Sequence, residues 1–241
     1  MGSEQPKVVH SLNGRPMIAH VLDTVGDLGF GTYRPDPVVV VGFGADAVRD
    51  CVDRNVCYAL QTEQLGTGDA ATVGLGAAPP EAERILLIHG DEPLITASTY
   101  RQMLDLQTEA TATVVLLTGL VSDAQGLGRV FRDEHGQIVA LVQEKQLTPD
   151  QRNILEINFG AYIFDRSFMR EMLPLLEKHP GGEYYLTDLI AFAVGSGRIV
   201  QSVQVPYPDD QMGINDQAQL ERAALFLRNG PTGRLQPSRG I

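Results

Sequence analysis

The sequence predicts an α/β fold in which a mostly parallel, mixed sheet lies between two layers of helices. Short β-branched apolar runs alternate with longer stretches that repeat at the helical period, as in βαβ units. The runs are apolar at nearly every position, as strands covered on both faces require. The chain has 241 residues, 43% of them hydrophobic, so it is long enough to bury one substantial core.

Four apolar runs in the first half are predicted as strands, and the periodic stretches around them as helices. The strands are at residues 37–42, 56–60, 85–88 and 112–117. The helices are at residues 18–28, 45–52, 69–78 and 98–106. Since strand and helix alternate, we expect this half to form a mostly parallel sheet with helices on both faces.

The second half mixes antiparallel strands with helices. Residues 129–132 and 137–144 flank the turn-rich segment Asp133-Glu134-His135-Gly136 and are predicted to form a hairpin. Further strands are predicted at 154–164 and 199–205, and helices at 166–178, 186–194 and about 216–227. We expect this half to wall one side of a ligand cleft. Residues 230–241 have turn residues and little apolar content, and are predicted to be a flexible tail.

Composition excludes several classes of protein. The net charge of −11 argues against a protein that coats nucleic acid or an anionic membrane, because such surfaces are bound by clustered Lys and Arg. A small phosphorylated substrate remains compatible with it. No apolar run is long enough to cross a bilayer, and no leader is recognisable, so a cytoplasmic location is expected. Cys51 and Cys57 lack further Cys or His nearby and are interpreted as small core residues.

A magnesium site is predicted from two separate segments. Asp91 follows the strand at 85–88, and ligands of open α/β sheets lie beyond the carboxyl ends of strands. A carboxylate there can hold Mg²⁺ against a phosphate, although a turn or a helix cap is the alternative. Asn215 precedes the last helix, where its alternative role is an N-cap. Together they predict a carboxylate and an amide oxygen on one metal ion.

A nucleotide-binding turn is predicted between the second strand and its helix. The glycines of Gly66-Thr67-Gly68 would let the backbone approach a flat ligand closely, although a tight turn that binds nothing has the same sequence. Gln61 can both donate and accept hydrogen bonds, which matches the imide edge of uracil. Lys7 could neutralise charge on a departing pyrophosphate, and its alternative is a solvated surface Lys.

The order of these segments resembles the uridylyltransferase domain of bacterial N-acetylglucosamine-1-phosphate uridylyltransferases, within the nucleotide-diphospho-sugar transferase superfamily. The similarity extends from Pro6 to about Leu227. It is carried by short motifs spread along the chain: Pro6-Lys7-Val8, Gly14-Arg15-Pro16-Met17, residues 61–68, residues 90–95, Gly128-Arg129-Val130, Glu156-Ile157-Asn158, residues 182–188 and Gly213-Ile214-Asn215.

The resemblance implies a Rossmann-like three-layer α/β/α fold and the transfer of a uridylyl group from UTP to N-acetylglucosamine 1-phosphate. The products would be UDP-N-acetylglucosamine and pyrophosphate, Mg²⁺ the cofactor, and UTP and a hexosamine 1-phosphate the partners. Lys7 and Asp91 would be the catalytic residues, and Asp91 and Asn215 the metal ligands. The substrate-binding residues that it implies are Gln61, Gly66, Thr67, His89, Gly90, Gly128, Gln143, Asn158, Tyr185 and Asn215.

Three departures from the family pattern keep alternatives open. Gln143 stands where the family has a sugar-contacting carboxylate, and His89 stands where Tyr is common. The family begins with a strand and a Gly-rich loop that would precede Met1, and its bifunctional members carry an acetyltransferase domain that nothing after Leu227 resembles. Residues 1–229 are therefore predicted to be one nucleotidyltransferase domain without that strand and loop. The alternatives are another sugar-phosphate nucleotidyltransferase of this fold and a non-catalytic relative that binds nucleotide sugars.

Overall fold

A computed structural model describes residues 5–29 and 36–230 of the chain. After a short 3-10 helix at Lys7–Val9, two short strands, β1 (Ser11–Leu12) and β2 (Arg15–Pro16), pair in an antiparallel hairpin. Asn13 and Gly14, between the strands, have φ angles of 50° and 86°, and Gly adopts such angles without steric cost. The sequence pattern did not predict this hairpin.

The predicted elements of the first half are all present, with ends shifted by a few residues. The helices are α1 (Met17–Gly26), α2 (Ala45–Cys51), α3 (Thr67–Ala77) and α4 (Ala97–Glu109). The strands are β3 (Val38–Val41), β4 (Cys57–Leu60), β5 (Arg84–Leu87) and β6 (Val114–Leu120). Thr96 caps α4, since its hydroxyl accepts a hydrogen bond from the N–H of Thr99.

The second half contains the predicted hairpin, β7 (Arg129–Arg132) and β8 (Ile138–Val142), followed by the long strand β9 (Glu156–Asp165). The remaining elements are α5 (Arg166–Met172), α6 (Asp188–Gly195), β10 (Val200–Gln204), α7 (Pro208–Gln211) and α8 (Gln217–Asn229). The α-helix α5 ends earlier than predicted because Pro174 follows, and the chain continues as a 3-10 turn at Leu173–Leu175. The short helix α7 was not predicted.

The main sheet of the described residues has six strands and is mixed, as predicted. Its order is β10-β6-β9-β7-β8, and β5 pairs with β9 as well. Ten residues make β9 long enough to pair with β7 near its start and with β5 near its end. Strands β5, β6, β7 and β10 share one direction, and β9 and β8 have the opposite one.

Strands β3 and β4 form a separate parallel pair in the described residues. The expectation that all four early apolar runs are buried on both faces is therefore wrong for three of them. Only β6 is almost completely buried, whereas most residues of β3 and β5 are partly exposed. The physical reason is pairing, because β6 has a strand on each side while β3 and β5 each pair with a single strand.

Two hydrophobic clusters cover the two faces of the sheet. Val114 and Leu116 of β6 pack with residues of α3, α5 and α6 on one face. Val115 and Leu117 pack with residues of α4 on the other. This alternation follows from the period of two along a strand. A third cluster joins the N-terminal hairpin to α8 and includes Leu12, Met17, Ile214 and Leu220.

Two further expectations concern the surface. Both cysteines are free, and Cys57 is exposed and Cys51 only partly buried, so their assignment to the core is wrong. Cys57 starts β4, whose single pairing leaves that end open to solvent. None of the helices in the described ranges has the length and apolar character that crossing a bilayer requires. The predicted tail, apart from Gly230, and the region around Met1 lie outside the described residues.

Candidate active site

A cleft with a volume of about 1050 Å³ opens beside the carboxyl ends of β4 and β5 and along β9. Segments from both halves of the chain line it, which agrees with the expected position of ligands in open α/β sheets. Most of the predicted site residues lie in its lining: Gln61, Gly66, Thr67, His89, Asp91, Gly128, Gln143, Asn158, Tyr185 and Asn215.

Lys7, Asp91 and Asn215 meet at one edge of this cleft. The Nζ of Lys7 contacts Oδ2 of Asp91 and donates a hydrogen bond of 2.7 Å to Oδ1 of Asn215. The N–H of Ile214 donates to the carbonyl oxygen of Asp91 at 2.9 Å and fixes one loop against the other. Residues from the start, the middle and the end of the chain are thus brought together.

The oxygens of Asp91 and Asn215 fit a divalent cation. They already surround a positive charge, the ammonium of Lys7, and carboxylate and amide oxygens are the ligands that Mg²⁺ uses. Mg²⁺ commonly binds one or two protein groups and keeps several waters, so two side chains are a sufficient set. The ion and the ammonium would share the same two oxygens.

The charge of the lining also favours a cation. Arg222 is the basic residue in the lining that the structure describes, against six acidic ones: Asp91, Glu92, Asp123, Glu183, Asp209 and Asp210. Two anionic substrates would meet a negative wall there, so their binding requires compensating positive charge.

The N-cap alternative for Asn215 is not what the structure shows. Asp216 caps α8, because its carboxylate accepts from the N–H of Gln219 while the side chain of Gln219 accepts from the N–H of Asp216. The same Gln219 oxygen accepts from the N–H of Asn215 at 2.5 Å. The cap therefore positions Asn215 and leaves its side chain to meet Lys7.

The predicted nucleotide-binding turn is held by the segment that carries Tyr184. Gly66 has a φ of 96°, and a Cβ there would lie 2.6 Å from the carbonyl oxygen of Tyr184, so only Gly fits. That oxygen accepts from the N–H of Gly68 at 2.9 Å, and Oγ1 of Thr67 accepts from the N–H of Leu186 at 3.0 Å. Thr67 thus has a structural bond beside its predicted role in the base pocket.

Gln61, which lines the cleft, has its amide nitrogen fixed. Nε2 donates to Oδ2 of Asp69 at 2.7 Å and to the carbonyl oxygen of Gly66 at 3.1 Å. Both partners are acceptors, so the nitrogen and not the oxygen must face them. Sequence reasoning identified Gln61 but gave no role to Asp69, which lies in the first turn of α3.

Another part of the cleft wall is formed by β9 and the β7–β8 hairpin. Nδ2 of Asn158 donates to the hydroxyl of Tyr162 at 2.5 Å, whereas Oδ1 of Asn158 is buried without a partner in the described residues. Burial raises the pKa of the Tyr162 hydroxyl. Gln143 donates a long hydrogen bond of 3.4 Å to Thr187, and a Cβ at Gly128 would lie 3.7 Å from Oε1 of Gln143, at ordinary van der Waals distance.

His89 lies against Gly160 of β9 and beside Glu92. A Cβ at Gly160 would be 2.0 Å from Nδ1 of His89, so Gly is required for the ring to sit there. Glu92 is 6% exposed, and its Oε1 accepts from the N–H of Gly160 at 2.9 Å. Burial raises the pKa of the Glu92 carboxyl. Sequence reasoning passed over Glu92, although a carboxyl next to Asp91 was a visible signal.

The remaining predicted residues differ in their exposure to the cleft. Gly90 is not among its lining residues, and a Cβ there would lie 3.2 Å from the side chains of Val8 and Ile18. Its small size therefore lets the N-terminal segment pack. The ring of Tyr185 lies 4.2 Å from that of His179, whose Nε2 is 2.7 Å from Oδ2 of Asp188.

Comparison with known proteins identifies a family and several relatives. A family profile described as the MobA-like NTP transferase domain matches residues 1–156. The bifunctional protein GlmU of Heliobacterium modesticaldum is 38% identical over 230 residues, which are 95% of this chain and 49% of that protein. The bifunctional protein GlmU of Brevibacillus brevis is 35% identical over 229 residues, which are also 95% of this chain and 49% of that protein. The chain thus spans about half the length of these curated relatives.

Solved structures share the fold at low sequence identity. A putative glucose-1-phosphate thymidylyltransferase from Bacillus anthracis has a TM-score of 0.74 at 16% identity, covering 95% of this chain and 89% of that one. An apo UDP-glucose pyrophosphorylase has a TM-score of 0.72 at 15% identity, and the match covers 92% of this chain and 90% of that one. The predicted α/β fold, with a mixed sheet between helices, is thereby confirmed. The profile, which matches more than half of the sequence, shows that the chain belongs to the family of MobA-like NTP transferase domains.

Proposed function

We propose that this chain is a sugar-phosphate nucleotidyltransferase that transfers a uridylyl group from UTP to N-acetylglucosamine 1-phosphate. The products are UDP-N-acetylglucosamine and pyrophosphate. The observation that carries the proposal is the meeting of Lys7, Asp91 and Asn215 at the edge of an acidic cleft. The similarity to the GlmU proteins over 95% of the chain supports the choice of substrates. Residues 1–229 are proposed as the nucleotidyltransferase domain.

The reaction needs no covalent bond to the protein. An oxygen of the sugar phosphate attacks the α-phosphorus of UTP, and the bond from that phosphorus to the bridging oxygen breaks. Pyrophosphate leaves with the electron pair of that bond. Positioning two anions in line and compensating their charge are the main tasks in such transfers.

Lys7 and the two oxygen ligands manage this charge. Asp91 and Asn215 would hold Mg²⁺, which screens the repulsion between the two phosphate groups and polarises the phosphorus. The ammonium of Lys7, on a flexible stem, compensates charge on the departing pyrophosphate. Its observed contacts with both oxygens keep it at the place where the phosphates must meet.

The two ends of the cleft bind different parts of the substrates. The turn at Gly66 and Thr67 and the amide of Gln61 would receive the uracil base. Asn158 and Gly128 would face the sugar, because they lie with β9 and the β7–β8 hairpin. Tyr185 is assigned to the sugar by family resemblance, and its neighbours Tyr184 and Leu186 bond to the turn at Gly66 to Gly68. The shared edge at Asp91 then lies between base and sugar, where the phosphates react.

The direct test is release of pyrophosphate from UTP. We expect release to require N-acetylglucosamine 1-phosphate and Mg²⁺ together, and to stop when a chelator removes the metal. Absence of release with every sugar phosphate and nucleoside triphosphate would contradict the proposal.

A second sugar phosphate is the specific alternative. Gln143 brings no charge to the sugar end, and its hydrogen bond to Thr187 is long at 3.4 Å, so it defines the sugar weakly. His89 and Glu92 add groups of their own to the same end. A panel of hexose and hexosamine 1-phosphates, with UTP held constant and pyrophosphate as the readout, ranks the candidates by kcat/KM.

A further inference from the structure

Glu92 is a buried carboxyl in the cleft with half of its hydrogen-bonding capacity unused. Its Oε1 accepts from the N–H of Gly160, whereas Oε2 is buried and has no partner in the described residues. Leaving such an oxygen unpaired is unfavourable, and native structures rarely tolerate it away from functional sites. Because Glu92 lines the cleft, a ligand can supply the missing donor.

A second unpaired acceptor belongs to Asn158, which also lines the cleft. Oδ1 of Asn158 is also buried without a partner, and its nitrogen is engaged by Tyr162. Asn158 and Gly160 are two residues apart on β9 and so lie on the same face of the strand. Glu92 is bonded to Gly160, which places the two unpaired acceptors on one short stretch of the cleft wall.

Two unpaired acceptors on residues that line one cleft select the chemistry of the ligand. The oxygens of a phosphate are themselves acceptors and would be repelled there. The hydroxyl and amide N–H groups of a sugar ring are donors and would satisfy both. The ring of His89, 4.0 Å from Oε1 of Glu92, closes the wall beside them.

We propose that Glu92 is a specificity-determining residue for the sugar, its Oε2 accepting a hydrogen bond from a hydroxyl or amide N–H of the sugar phosphate. This inference rests on the proposed function for the presence of that substrate. It adds to the sugar end a residue that neither the sequence motifs nor the metal site required.

The substitution Glu92→Gln tests the assignment because it changes one atom. The amide can keep a carbonyl oxygen towards the N–H of Gly160, so the structural bond is retained, while a donor replaces Oε2. N-acetylglucosamine 1-phosphate is titrated calorimetrically into protein that is saturated with Mg²⁺ and a UTP analogue whose α–β bridge cannot be cleaved. We expect its affinity to fall by about tenfold to a hundredfold, the usual effect of a hydrogen bond to a charged group, with the affinity for the UTP analogue unchanged.

The matched control is Glu134→Gln, which makes the same chemical change in an exposed turn and should leave both affinities unchanged. A parallel titration of wild-type protein uses sugar phosphates that each lack one hydroxyl or the acetamido N–H. One of them should bind more weakly to wild type, and that loss should vanish in Glu92→Gln. This arm reports on the donor even if the variant folds poorly.

Equal affinity of Glu92→Gln and wild type for the sugar phosphate would overturn the assignment, as would full affinity of wild type for every single-deletion analogue. Failure of wild type to bind any sugar phosphate would also overturn it. The sugar phosphate could bind in the titration while natural UTP released no pyrophosphate. That result would contradict the proposed function but leave the role of Glu92 intact. A purely structural Glu92 would instead lower both affinities and the melting temperature together.

Discussion

Single residues decide what the cleft edge can bind. Lys7 was predicted as a catalytic residue, with a solvated surface lysine as the alternative, and its ammonium lies between two oxygens that come from distant parts of the chain. With side-chain exposures of 39% and 15%, the Lys7–Asp91 pair is too accessible to contribute much to stability. We therefore assign the pair a role in the proposed function, in which the ammonium of Lys7 lies against the carboxylate of Asp91 and the amide oxygen of Asn215.

The substitution Asp91→Asn should separate function from folding. It preserves the shape of the side chain but removes the charge that attracts Lys7 and a divalent cation. We expect the rate of pyrophosphate release to fall by at least about a hundredfold, as when a preorganised charge contact is lost, with little change in the melting temperature. Asp105→Asn, an exposed position on α4, is the matched control. A variant with the wild-type rate would remove Asp91 from the mechanism.

Asp69 should influence the choice of base through Gln61. Because Asp69 and Gly66 engage the amide nitrogen, the carbonyl oxygen is the end that a base can meet. That oxygen can accept from N3–H of uracil, whereas N3 of cytosine carries a lone pair and would be repelled. In Asp69→Ala the amide can turn, so we expect the ratio of kcat/KM for UTP over CTP to fall by about tenfold.

The control for this change is Asp46→Ala, since Asp46 is also an acidic residue in the first turn of a helix that follows a strand. It should leave the preference for UTP unchanged. If Asp69→Ala lowered kcat/KM for UTP and CTP by the same factor, Asp69 would only support the turn and would have no part in base selection.

At the scale of elements, α3 combines glycines that have different roles. Gly68 faces the carbonyl oxygen of Tyr184, and a Cβ there would be 2.6 Å from Leu176, whereas Gly76 is exposed and has nothing within 4 Å. Gly within a helix is destabilising relative to Ala because it loses more conformational freedom on folding. The sequence shows both as Gly in a helix, and only the neighbours distinguish them.

The substitution Gly76→Ala should raise the free energy of unfolding by up to about 1 kcal/mol, measured by chemical denaturation. Gly68→Ala, on the same helix, should lower it by about 1–3 kcal/mol, because the added methyl crowds Leu176 and the segment at Tyr184. Equal effects of the two substitutions would show that helix propensity alone determines the outcome.

The sequence predicted the helices and strands better than it predicted how they pair and how deeply they are buried. Periodicity identified α4 and the β7–β8 hairpin because both are long and have clear turn or cap residues. It missed the β1–β2 hairpin, whose strands have two residues each, too few to show a period. It also overstated the burial of β3, because an apolar run does not reveal how many strands will pair with it.

At the scale of the whole molecule, the site depends on contacts that are remote in sequence. The motifs suggested Lys7, Asp91 and Asn215 one by one, but Lys7 is bonded to Asn215 across 208 positions, a separation that no local pattern encodes. Glu92 was missed for the same reason, because its partner Gly160 belongs to a strand 68 positions later. Sequence reasoning therefore identified chemical types at motif positions, and folding determined which of them share a contact.

The C-terminal helix α8 is the element that links the two ends of the chain. Arg228 donates to Oδ1 of Asn13 at 2.9 Å, and Nδ2 of Asn13 donates to the carbonyl oxygen of Ala224 at 3.1 Å. Leu220 packs with Leu12 in the cluster beneath these bonds. Since Asn215 directly precedes the cap of α8, docking of this helix should position the oxygen that meets Lys7.

The matched pair Leu220→Ala and Leu225→Ala tests this link on one helix. Leu220 is 9% exposed and Leu225 is 50% exposed, so the first change leaves a cavity and the second removes surface area only. We expect Leu220→Ala to lower the free energy of unfolding by about 2–5 kcal/mol and Leu225→Ala by less than about 1 kcal/mol, measured by urea denaturation.

The same pair also tests the position of Asn215. Without urea, and at a temperature where both variants are folded, Leu220→Ala should need more Mg²⁺ for half-maximal pyrophosphate release, because a loosened α8 holds Asn215 less firmly. An unchanged Mg²⁺ requirement in a destabilised Leu220→Ala would show that the loop before α8, bonded to Asp91 through Ile214, positions Asn215 without the helix.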